Sequence, residues 1–323
     1  MDKPIDIAEH HLVFSRLALA PLLLASCVAT STPQLHHPDL SLATLAKTSE
    51  ANSAVFKSYN PNGPVRWNQG WPWKLDLTGI GWDEATTVTA ITARHVVMAK
   101  HFQRQAGGTA VFHDRDGKPH RRMILKIIPT SEVGLPSDVS VGLLDRPLPK
   151  SIRTYPLLSA NADEAAQLIG AHVLVTEQSR RLFFHQIRNV NDTSIQFQYD
   201  PQLADSKKKR LIPGDSGNPS FVLSKGELAL VETHTGGGPG AGPFYGSPKM
   251  IEALQKIIAQ LDSSYQLRTV GIDQRLRKEA APGRATISKG VATTAQTATP
   301  KPSTPSAPPT RRPRPRIVVP DSP

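Results

Sequence analysis

Pro213-Gly214-Asp215-Ser216-Gly217-Asn218-Pro219 is the stretch on which the reading of this chain turns. A serine hydroxyl is a weak nucleophile until a base takes its proton and donors hold the oxyanion that follows. Gly214 lets the backbone turn so that its N–H and that of Ser216 converge on one oxygen. Gly217 clears space beside the hydroxyl, and Asp215 is suited to anchor the loop from inside. The plain alternative is a Gly/Asp/Ser turn between two strands.

If Ser216 is a nucleophile, the chain must also supply a histidine base and a buried carboxylate. Thr92-Ala93-Arg94-His95-Val96-Val97 closes a candidate strand at 86–92, which makes His95 the expected base. His101 is the second candidate, without that strand-to-turn context in front of it. Asp138 opens the apolar run Val139–Leu144, a position awkward to explain as surface decoration, and is the expected orienting acid. Asp145 follows that run and is the weaker choice.

These segments resemble the trypsin-like serine proteases. The family's Gly-Asp-Ser-Gly-Gly-Pro is matched except at Asn218, its Thr-Ala-Ala-His except at Arg94, and Asp138-Val139-Ser140-Val141 resembles its Asp-Ile-Ala-Leu. The order His, Asp, Ser also agrees. The resemblance implies two six-stranded antiparallel β-barrels over residues 71–265, with His95, Asp138 and Ser216 meeting in the cleft between them and the oxyanion held by Gly214 and Ser216. It also implies serine endopeptidase activity on a protein or peptide substrate, without a cofactor or metal. His234-Thr235-Gly236-Gly237 is similar to the pocket segment of bacterial glutamyl endopeptidases, where a histidine contacts the carboxylate of the residue before the cut. With Arg210, at the end of Lys207-Lys208-Lys209-Arg210, this implies a preference for Glu at P1, or for Asp or Gln.

The texture from Trp71 onward supports an all-β fold independently. Short β-branched and apolar segments, broken by turns such as Asp114-Arg115-Asp116-Gly117, predict about ten strands without helical crossovers. Ser247-Pro248 reads as a helix start, and Met250, Ile251, Leu254, Ile257, Ile258 and Leu261 follow at helical spacing.

The ends read differently. Of 323 residues, 29 are proline, and many of these lie near the C-terminus. From Arg268 to Pro323 eleven Lys or Arg stand against Asp273, Glu279 and Asp321, so this segment holds +8 of the net +11. The basic character therefore belongs to residues 266–323, read as a disordered Pro/Thr/Ala-rich tail suited to an anionic surface, and argues against nucleic acid as a partner. Residues 31–70 read as a linker. The 13-residue apolar run Leu17–Ala29 has the length of a signal-peptide core and is short for a membrane span. Within it Leu24-Ala25-Ser26-Cys27, with the chain's one cysteine, resembles a bacterial lipobox. Residues 1–30 thus read as an export signal, placing the protein in the cell envelope as a periplasmic or lipid-anchored form, or outside the cell. Two other readings compete: a protease-fold binding protein without catalysis, and an envelope-binding module built around the tail. On the lipobox reading, Cys27→Ser shifts the protein from the membrane to the soluble fraction; unchanged partition contradicts lipidation.

Overall fold

Alternation along the strands builds the architecture. In strand His95–Ala99, Val96 and Met98 join an apolar cluster with Phe112, Ile124 and Leu144, while Val97 faces a second cluster shared with Val139 and Val141. In His172–Thr176, Val173 and Val175 enter a third cluster with Phe183, Ile195 and Phe197, and Leu174 turns back to the shared one. Strands buried on both faces with period-two side chains are what two closed, mutually packed sheets require.

The computed structural model describes residues 40–50 and 52–281. They form an all-β, two-barrel fold with a C-terminal helix, and its barrel-like antiparallel sheets are compatible with a trypsin-like double barrel. The first sheet has six strands in the spatial order Ile80–Gly81, Val88–Ala90, His95–Ala99, Val139–Leu144, Pro119–Pro129, Thr109–His113, all antiparallel. Arg104, only 3% exposed, draws its two edges together. Its guanidinium donates to the carbonyls of Gly81 and Thr109 and grips both oxygens of Asp83, at 2.9 and 2.8 Å. A guanidinium tolerates such burial only when its donors are met in this way.

The second sheet has eight strands, in the order Ala241–Pro243, Ser194–Gln198, Leu182–Val190, His172–Thr176, Pro219–Ser224, Glu227–Thr233, Leu157–Ser159, Thr269–Gly271. The expected count was six. The excess comes from Leu157–Ser159 and Thr269–Gly271, which pair parallel at one edge. The helix spans Pro248–Asp262; Ser247 caps it by accepting from the Met250 N–H, and Met250, Leu254, Ile257 and Ile258 are buried.

Two expected boundaries move. The linker at 31–70 carries a helix, Leu42–Thr48, and a small hairpin of Phe56–Ser58 with Arg66–Trp67. Leu42, Leu45, Phe56 and Trp67 enter the shared core. The tail expected from residue 266 begins with strand Thr269–Gly271 and helical residues 274–281, and buries Val270, Leu276 and Ala280 against the second barrel. The partner of that strand lies more than a hundred residues upstream, so local composition could not reveal it. The export signal, Cys27 and residues 282–323 lie outside the described residues. Among the described residues no helix is long and apolar enough to cross a membrane.

Ending the chain after Leu267 removes the burial of Val270 and Leu276, a loss of ~3–5 kcal/mol. Urea denaturation should therefore find a chain ending at residue 267 less stable than one ending at 281 by that amount; equal midpoints contradict the structural role of residues 268–281.

Candidate active site

Strand His95–Ala99 pairs with Val139–Leu144 so that Ala99 lies opposite Val139. One step further the Lys100 N–H meets the Asp138 carbonyl at 3.2 Å, so the chain leaving the first strand and the chain entering the second run side by side. His101 follows in the short 3-10 turn Lys100–Phe102. Asp138 Oδ1 accepts from the His101 backbone N–H at 2.8 Å, and its Oδ2 lies 2.5 Å from His101 Nδ1. His101 Nε2 lies 2.9 Å from Ser216 Oγ. An ionised carboxylate only accepts, so Nδ1 carries the proton and Nε2 faces the hydroxyl with its lone pair free.

The histidine in this arrangement is His101, which corrects the expectation for His95. His95 is fully buried at the start of its strand. Its Nδ1 is 2.8 Å from Thr92 Oγ1, which already accepts from the backbone N–H groups of Arg94 and His95 and so has only its own proton to give. Nδ1 is therefore the acceptor and Nε2 holds the proton, without a hydrogen-bond partner among the described residues, with the Tyr265 ring beside the imidazole. Burial pushes this imidazole down to about 4. Arg94 is structural too: it donates to the carbonyls of Leu144 and Asp145 and to Asp262 at the end of the helix. The signal that could have found His101 is the run Val96-Val97-Met98-Ala99, an apolar strand leading straight into Lys100-His101.

The nucleophile loop is held from several sides. Asp215 is buried and accepts from the N–H groups of Gln178 and Ile212. Asn218, the departure from the family pattern, is a tether that sequence reasoning missed. Its side-chain oxygen accepts from Trp82 and Thr87 of the first barrel, and its amide donates to the Asp215 carbonyl. Gly214 has φ +101, a conformation costly for residues with a Cβ. Among the described residues the N–H groups of Gly214 and Ser216 have no backbone acceptor, as the expected oxyanion donors require. Gly217 and His234 exchange main-chain bonds with the neighbouring segments, His234 N–H to Asn218 and Gly217 N–H to His234, so loop and pocket wall are stitched together.

A cavity of about 360 Å³ opens beside Ser216 and His101. Leu211, Ile212 and Pro213 form part of its wall; Thr235, Gly236 and Gly237 form another part. A larger one, about 820 Å³, lies at Trp67, Trp73 and Arg115 and includes none of His101, Asp138 or Ser216. His234 lines the smaller cavity but is 1% exposed. Its Nε2 donates to the Thr176 carbonyl at 3.0 Å, and its Nδ1 lies 2.8 Å from Glu232 Oε1 in a bent contact. Burial pushes this imidazole down, but Glu232, the Thr176 carbonyl and Asp215 outweigh it and hold it above the ordinary histidine value. Neither ring nitrogen is free for a substrate carboxylate. Arg210 is exposed and does not line the cavity. Its neighbours are engaged elsewhere: Lys207 donates to the Ala46 carbonyl, and the Lys209 backbone N–H to His185 Nε2. Among the described residues no cluster of three or more His, Cys, Asp or Glu is arranged to hold a metal ion. No family model matches the chain, and no curated protein matches it.

The neutral His95 gives a stability signature. Its folded pKa, about 4, is below the unfolded value near 6.5, so the unfolded chain binds the proton first and this contribution is lost as pH falls from 6.5 toward 4. At pH 5 the loss is about 2 kcal/mol. The stability difference between pH 7 and pH 5, from urea midpoints, should be smaller by that amount in His95→Gln than in the wild type.

Proposed function

We propose that the chain is a serine endopeptidase of the trypsin-like class, with Ser216 as nucleophile, His101 as base and Asp138 as orienting acid. The observation that carries this reading is the continuous Asp138–His101–Ser216 contact, at 2.5 and 2.9 Å. As Ser216 Oγ attacks a peptide carbonyl carbon, its proton passes to His101 Nε2, and the C=O electron pair moves onto the oxygen. The N–H groups of Gly214 and Ser216 are the donors for that oxyanion. Asp138 stabilises the imidazolium through Nδ1–H. The tetrahedral adduct then collapses: the C–N bond breaks, and His101 returns the proton to the amine nitrogen as it leaves. A water repeats the sequence on the acyl-enzyme and releases the acid and free Ser216. The main-chain pairing of the loop with the His234 segment supports the same reading, since it fixes Ser216 beside a pocket for the acyl side chain. With the export signal and Cys27 as read from the sequence, the site of action would be the cell envelope or the medium.

The test is labelling by a fluorophosphonate and turnover of a mixed peptide library. Ser216→Ala and His101→Ala should each lower kcat/KM by on the order of 10³-fold or more, and the double variant by little beyond either. His95→Gln should retain activity. Labelling that survives His101→Ala but is lost in His95→Gln would overturn the assignment of the base.

A further inference from the structure

We infer that the pocket beside Ser216 selects an uncharged P1 side chain, and that buried Glu232 imposes this selection by cancelling the charge of His234. The inference rests on the endopeptidase reading and deepens it.

Glu232 and His234 lie two residues apart on one strand and its extension, so their side chains share a face. Glu232 has no exposed surface, and among the described residues neither of its oxygens has a hydrogen-bond donor apart from the bent contact with His234 Nδ1 at 2.8 Å. Its carboxylate is packed so tightly against strand Ala241–Pro243 that a Cβ at Gly242 would approach Oε2 to 2.2 Å. On the other side of the ring, Nε2 meets a carbonyl, which can only accept, so that nitrogen is protonated. An Nδ1 lone pair facing a carboxylate oxygen at 2.8 Å would be repulsive, so one further proton lies between them, on Nδ1 or on Glu232. In either case the pair carries no net charge. A histidine that could balance a substrate carboxylate is already balanced from behind.

Among the described residues the rest of the cavity lining adds no Lys or Arg. Asp215 contributes a negative charge, and each of its oxygens already accepts a backbone N–H. Leu211, Ile212 and Pro213 supply apolar wall, and Arg210 is outside. A Glu or Asp side chain would lose its hydration without a positive partner and beside Asp215. A Lys or Arg side chain would find Glu232 sealed behind the ring and Asp215, 3% exposed, with both oxygens already taken by backbone N–H groups. Burial of an unpaired charge of either sign is costly, whereas an apolar or amide side chain meets no such penalty.

The experiment is P1 profiling of the whole protein with a peptide library, alongside fluorophosphonate labelling of Ser216. Cleavage after uncharged residues should exceed cleavage after Glu, Asp, Lys or Arg by on the order of 10²-fold. Glu232→Gln keeps the volume but removes the counter-charge. It should label at Ser216 and show a raised ratio of turnover at P1 Glu to turnover at P1 Gln. Wild-type protein that labels yet cleaves chiefly after a charged residue overturns the pocket assignment and leaves the nucleophile standing. A Glu232→Gln variant that labels with an unchanged ratio overturns the role of Glu232. A wild-type protein whose Ser216 does not label overturns the endopeptidase reading, and the pocket assignment falls with it.

Discussion

The register between His95–Ala99 and Val139–Leu144 is the constraint on which the candidate site depends. Ala99 opposite Val139 brings the end of one strand against the beginning of the other, and only then can Asp138 reach both the backbone and the ring of His101. A slip by one residue would also turn Val96 and Met98 out of the first barrel's core and bring Val97 in. The hydrophobic pattern that closes the barrel therefore specifies the polar juxtaposition at its rim. Arg104 supports the same register from the opposite side of the sheet by tying its edge strands together.

The second barrel brings Ser216 to that rim through polar links across the two sheets. Asn218 receives hydrogen bonds from Trp82 and Thr87 of the first barrel, while Asp215 holds its own loop and Gln178. The same loop is bonded to the main chain at His234, so the position of the hydroxyl and the shape of the pocket are set together. The buried Glu232–His234 pair lies directly behind this junction, where removing one partner would leave the other's charge uncompensated.

Much of this was legible in the sequence. The apolar run Val139–Leu144 is a strand as its composition implied, and Ser247-Pro248 starts the helix as its capping chemistry implied. Ser216 was singled out by the small residues around it and Asp138 as a polar residue opening an apolar strand, and the structure brings both to one histidine. His95 was chosen over His101 because Thr92-Ala93-Arg94-His95 follows the family motif in all but Arg94, whereas the strand that delivers His101 was overlooked: it begins at His95 itself. That both nitrogens of His234 are taken was not readable either, because its partners at Thr176 and Glu232 meet it only through the folded second sheet. The strand Thr269–Gly271 was lost among charges for the same reason, as its pairing is with Leu157–Ser159.

The account is tested most directly by a crystal structure of the protein after reaction with a fluorophosphonate. The phosphorus should be bonded to Ser216 Oγ, with a phosphonyl oxygen within hydrogen-bond reach of the Gly214 and Ser216 N–H groups and His101 still joined to Asp138. An adduct on another residue, or His101 parted from Asp138 and Ser216 with a different histidine in its place, would contradict it.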